Sequence, residues 1–120
     1  MENYVKAAIK KKWVAALKSG KYEQTTAGRL TNKEGTQFCC LGVLCDIYLK
    51  EMKHPIKNRF HRANAIQQLR VSDDAKIIQV PGRKVLTWAG LHHSSTGTLA
   101  DMNDVGKSFE VIAKYIEKAY

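Results

Sequence analysis

The chain has 120 residues, 44% of them hydrophobic, which is one domain's worth of sequence and enough to bury a core without covalent staples. Its formal charge of +9 disfavours a mimic of DNA, which should be acidic, and favours an anionic partner. Its three clustered cysteines exclude a disulfide framework, and its longest apolar stretch falls far short of the roughly 20 residues that span a bilayer.

Residues 3–18 predict an amphipathic helix. Val5, Ile9, Trp13 and Leu17 recur at i, i+4 with Ala8 and Ala16 beside them, lysines take the other face, and Ser19-Gly20 stops it. Residues 22–38 lack helical periodicity; Thr25, Thr26, Thr31 and Thr36 favour extended chain. Asn32 to Gly35 reads as a turn, which predicts a short hairpin with strands near 27–31 and 36–39. Residues 39–52 predict the central helix, apolar almost all round at its start and so buried there. Gly42 lies inside it, where glycine costs about 1 kcal/mol relative to alanine. A close neighbour, another backbone or Trp13, would explain it.

Residues 53–80 carry the weakest pattern: "KNRFHRANAIQQLRV" suits helix or strand, Ser72-Asp73-Asp74 a turn or cap, and "AKIIQV" an extended segment. Pro81 is placed to open a short helix that runs through Trp88-Ala89 and closes at Gly90. Leu91 to Thr98 reads as a polar loop and "TLADMNDVG" as a short helical turn. Ser108 then caps a last helix with Phe109, Ile112, Ala113 and Ile116 on one face. The sum is a single α+β domain over 1–120, mainly α, of four to five helices with one or two short β-hairpins.

All three cysteines fall in "FCCLGVLCD" at 38–46. Zinc would want spaced pairs of ligands, and Cys40 and Cys45 lie roughly 140° apart around a helix, so they do not converge. A cysteine at a helix N-terminus has a lowered pKa, so Cys39 or Cys40 suits a small cysteine-dependent enzyme if a histidine comes within reach. Free cysteine is also among the most buried residue types, and the core-forming neighbours favour packing. No catalytic residue, metal or cofactor is expected, and reduced thiols fit a cytoplasmic protein. Nothing resembles a signal peptide.

Three stretches recur in order: "KWVAALKSGKYEQ" at 12–24, "FCCLGVLCDIY" at 38–48, and "VLTWAGL" followed by "LADMNDVGKSFEVIAKYIE" between 85 and 117. In this order they resemble a family of small uncharacterised proteins of tailed bacteriophages and bacteria, with a CCLGVLCD, WAGL, NDxGxSF pattern. The resemblance implies a phage setting, hence a host-takeover or anti-defence role in the host bacterial cytoplasm; it implies no mechanism.

The charge is uneven: residues 1–60 hold 12 Lys/Arg against 5 Asp/Glu, and residues 61–120 hold 8 against 6. Lys53, Lys57, Arg59, Arg62 and Arg70 surround Phe60, a pattern that suits nucleic acid or nucleotide phosphates, or a solvated basic face. In Asn103-Asp104-Val105-Gly106-Lys107-Ser108, an Asx-type turn and a ligand contact compete: Asn103 would read a base or ribose while helix amides and Lys107 hold phosphate. Arg29, Arg59, Arg62, Arg83 and Lys107 are the candidate phosphate contacts, with Asn103 and Asp104 beside them and Trp88 or Phe60 as stacking platforms. The expectation is a non-enzymatic binder of an anionic ligand, nucleotide signal or nucleic acid, with no membrane contact and with a homo-oligomer left open. The alternatives are an inhibitor that docks on a host protein and the cysteine-dependent enzyme.

Overall fold

The computed structural model describes residues 5–70 and 80–120. In chain order the elements are α1 (Ala7–Lys18), β1 (Glu23–Gln24), β2 (Gln37–Phe38), α2 (Cys40–Glu51), α3 (Arg59–Gln67), α4 (Arg83–Ala89), α5 (His93–Asp104) and α6 (Phe109–Ala119). The class is the expected one, α+β and mainly α. The helices described number six, against the four to five expected.

The centre is α2, whose residues Cys40 to Ile47, and Leu49, are all buried. It packs against α1, α3, α4 and α5, while α1 lies along α6. Trp13 is fully buried on α1 and donates its indole N–H to the Cys40 carbonyl at 2.9 Å, so the first turn of α2 is tied to α1. The α6 face formed by Phe109, Ile112, Ala113 and Ile116 is buried, and the Ser108 hydroxyl accepts from the Val111 amide as its cap. Both features follow the sequence reading.

Three expectations change. The β2 partner is not the far arm of a hairpin. Glu23 and Gln24 pair with Gln37 and Phe38 in parallel, and the antiparallel contact shrinks to one bridge between Thr31 and Phe38. The expected turn causes this: the Asn32 carboxamide oxygen accepts from the Thr36 and Gln37 amides, which a longer ladder would have used. Second, "LHHSSTGT" is not a loop. His92 caps α5, which turns Ser95, Thr96, Leu99, Ala100 and Asn103 inward. The helical period is there, but its first inward positions are polar, so hydropathy hides it. Third, Pro81 does not open α4; it bridges to Arg70, and Gly82 is the N-cap. Gly90 closes α4 as expected, in the left-handed conformation at φ 79°.

"RFHRANAIQ" resolves as helix α3, capped by the Asn58 side chain, which accepts from the His61 amide at 2.9 Å. The turn and extended segment expected over 72–79 lie outside the described residues. Among the described residues, no helix is long and apolar enough to cross a membrane.

Candidate anion-binding groove

All three cysteines fill space. Cys39, Cys40 and Cys45 are free thiols buried to within 2% of full enclosure. Cys39 sits at the N-cap of α2 and its sulfur accepts from the Gly42 amide at 3.3 Å, while Cys40 donates to the Leu99 carbonyl at 3.5 Å. The helix N-terminus favours a thiolate, but burial outweighs it: desolvation pushes the Cys39 thiol up to about 12 and holds the other two well above their ordinary range. Among the described residues no three metal-binding side chains gather.

These thiols make stability sensitive to alkali. Free thiols of the unfolded chain ionise near 9.0, whereas the folded state keeps Cys39 protonated to about 12. The stabilisation is whole below pH 9 and is lost as the pH rises toward 12. Burial likewise raises Tyr22. Urea midpoints will therefore fall steeply above pH 9, and iodoacetamide at neutral pH will spare all three thiols until the protein is denatured. A midpoint constant through the alkaline range, or rapid native alkylation of Cys39, contradicts this.

The titratable chemistry that faces solvent lies elsewhere. The connection after α1 brings Lys21 and Tyr22 against the last turn of α2, which carries Lys50. The first turn of α3 brings Arg59 and Arg62 to the same place, and the 32–36 turn closes one side. These residues, with Thr36 and Phe38, line a groove of about 370 Å³. Gly35 sets the width: it has φ 70°, and a Cβ there would stand 2.1 Å from the Arg59 carbonyl oxygen, so only glycine lets the turn meet α3.

Beneath the groove lies Asp46, 1% exposed, the only acidic residue within the buried stretch of α2. Tyr22 donates its hydroxyl to this carboxylate and accepts from Lys50 Nζ at 3.2 Å. Lys50 Nζ lies 3.2 Å from Asp46 and Arg62 Nη1 lies 3.6 Å from it. Partial burial works to lower the Lys50 pKa, but the Asp46 carboxylate overcomes it and the net shift is upward. Lys50 therefore stays cationic. The Arg62 guanidinium lies over the Phe38 ring at 5.6 Å, and its buried Nε has no hydrogen-bond partner among the described residues. No carboxylate among the described residues pairs with Lys21 or Arg59. Lys50 and Arg62 thus share one carboxylate, and Lys21 and Arg59 keep their full bonding capacity for a ligand.

The expected site residues do not form one site. Arg59 and Arg62 come together in the groove. Arg29 is half-buried in the loop before Leu30, Arg83 is exposed at the start of α4, and neither lines it. Trp88 packs edge-on against Tyr48 at 5.2 Å, as a core anchor. Asp104 is exposed at the last position of α5 and Lys107 is exposed just beyond it, and the Lys107 carbonyl accepts from Gln24 Nε2 at 2.7 Å. Asn103 is fully buried. Its oxygen accepts from Gln24 Nε2 at 2.9 Å and from the Cys40 amide at 3.2 Å, and its Nδ2 donates to the Thr25 carbonyl at 2.7 Å. It joins α5, the segment after β1 and the start of α2, and reaches no solvent-borne base.

Sequence reasoning missed Lys21, Tyr22 and Lys50, which come from separate elements. One signal was available: Asp46 is a lone charge in "CLGVLCDIYL", one helical turn before Lys50, and a buried charge requires partners.

The sequence model of one family, Domain of unknown function (DUF8296), matches residues 5–120. No curated protein and no solved structure matches the chain.

Proposed function

Because the chain belongs to the DUF8296 family, whose function is unknown, we propose its role from the groove itself: it binds an anionic, phosphate-bearing ligand, nucleotide or nucleic acid, without transforming it. The observation that carries this reading is the convergence of Lys21, Lys50, Arg59 and Arg62 on one groove over a single carboxylate. Arginine guanidinium groups bind phosphate through two parallel hydrogen bonds, and lysines add charge. The volume suits a group the size of a nucleotide. The lining offers no thiol, imidazole or carboxylate to serve as nucleophile or base, and the Tyr22 hydroxyl is held protonated by burial and by its bond to Asp46. The host-takeover or anti-defence role in a bacterial cytoplasm stays part of this proposal, and its support is the phage resemblance alone.

Calorimetric titration with a nucleoside triphosphate and with inorganic triphosphate tests it. Binding is expected for both. Arg62→Ala should weaken it by about tenfold or more, as expected for loss of a charge-assisted hydrogen bond. Arg83→Ala, outside the groove lining, should leave it unchanged. Equal losses in the two variants, or no binding of either ligand, overturn the reading.

A further inference from the structure

The groove does not end at its own walls. On one side Lys21, Tyr22 and Lys50 also line a second, larger hollow of about 600 Å³, which runs on to Lys12 on α1, to Ser19 at its end, and to Glu51, whose carboxylate pairs with Lys12. On the other side Arg59 leads to Phe60: the guanidinium lies 4.7 Å from the centre of the Phe60 ring. That ring is 53% exposed, in a segment where every residue from 50 to 60 faces solvent. Lys21 and Lys50 therefore face both hollows, Arg59 and Arg62 line the first, Lys12 is paired with Glu51 in the second, and Arg59 leads to an exposed aromatic face.

Resting on the phosphate-binding reading, we infer that the ligand is a single-stranded nucleic acid laid across these two hollows, with its backbone on Lys21, Lys50, Arg59 and Arg62 and one base stacked on Phe60. Three features select this class over a free nucleotide. Two hollows that share a wall of Lys21, Tyr22 and Lys50 offer room for more than one nucleotide. Lys21 and Lys50 face both hollows at once, so phosphates on either side of them can be held, which fits a repeating phosphate backbone. The aromatic face lies beside Arg59 and is exposed, so an unpaired base can reach it; in a duplex the bases are already stacked on one another. Arg59 joins the two functions, since it supports Phe60 by a cation–π contact and lines the phosphate groove.

The test is fluorescence anisotropy with labelled oligothymidylate, oligouridylate and a duplex of the same length, alongside calorimetry with thymidine triphosphate. Either single strand is expected to bind more tightly than the triphosphate and the duplex. Its affinity should fall with salt at a log–log slope of about −2 to −3, from about four neutralised phosphates. Phe60→Ala should lose about tenfold or more for the single strand, the effect of removing one stacking platform, while triphosphate binding is unchanged. Because Phe60 is exposed, this substitution leaves the fold intact, and a circular dichroism spectrum verifies it. Triphosphate binding without any gain for single strands, or a Phe60→Ala variant with full single-strand affinity, overturns the inference while the groove keeps its phosphate-binding role. Failure of the triphosphate and the single strands alike defeats both.

Discussion

Gly42→Ala is expected to destabilise the protein by at least about 3 kcal/mol, the upper range for overpacking in a close-packed interior. Alanine is the better helix former by about 1 kcal/mol, so propensity alone points the other way. Contact decides the sign. A Cβ at position 42 would stand 1.8 Å from the Leu30 carbonyl oxygen and 2.7 Å from its carbonyl carbon. No rotamer change relieves a clash with backbone. Leu30 cannot retreat easily: it is fully buried, and its carbonyl accepts the Cys39 amide at 3.1 Å, the bond that leads the chain into α2. A fall in Tm of about 10 °C or more is expected for a domain of this size. Gly97→Ala is the control. Gly97 also lies inside a helix, α5, but a Cβ there meets nothing within 4 Å, so the same substitution should be neutral or stabilising by about 0.5–1 kcal/mol. Thermal melts of the two variants check the pair. Unchanged melting for Gly42→Ala contradicts the packing described.

Asn103→Ala should cost about 2–4 kcal/mol. It removes one acceptor and one donor together and leaves the buried Cys40 amide and the Thr25 carbonyl without their partner, at about 1–3 kcal/mol for each stranded group. Asn103→Asp should not rescue the loss. It keeps an acceptor for Cys40 but turns a carboxylate toward the Thr25 carbonyl in a site with no solvent exposure. Urea unfolding measures the cost, and faster amide exchange at Cys40 locates it. The same variants separate a structural from a ligand-reading Asn103: triphosphate binding by the folded fraction should stay at the wild-type level. A stable Asn103→Ala protein that has lost binding contradicts the assignment.

How much of this was legible in the sequence varied with the physics of each element. The α6 face could be read because four apolar residues repeat at helical spacing behind a serine cap. The close backbone neighbour of Gly42 was legible as a need, since glycine inside a buried helix demands a reason; that the neighbour is Leu30 was not. The start of α5 escaped because Ser95 and Thr96 occupy inward positions and glycine follows. The β1–β2 pair escaped because two residues carry no period, and a parallel pairing between positions fourteen apart leaves no local turn signal. Arg59 and Arg62 were legible as basic residues flanking an aromatic. Their partners Lys21 and Lys50 stand on other elements, and only the fold brings them together. Asn103 was legible on a helical turn ending at Gly106, but the inward direction of its side chain was not, because a polar residue beside "DVGKS" suits a turn, a ligand contact or a buried bridge alike.

Amide-resolved NMR titration with a nucleoside triphosphate tests ligand binding in the groove most directly. The expected shifts centre on Lys21, Tyr22, Thr36, Phe38, Lys50, Arg59 and Arg62. Shifts centred instead on Arg83 and on Asn103 to Lys107, with the groove silent, would contradict it.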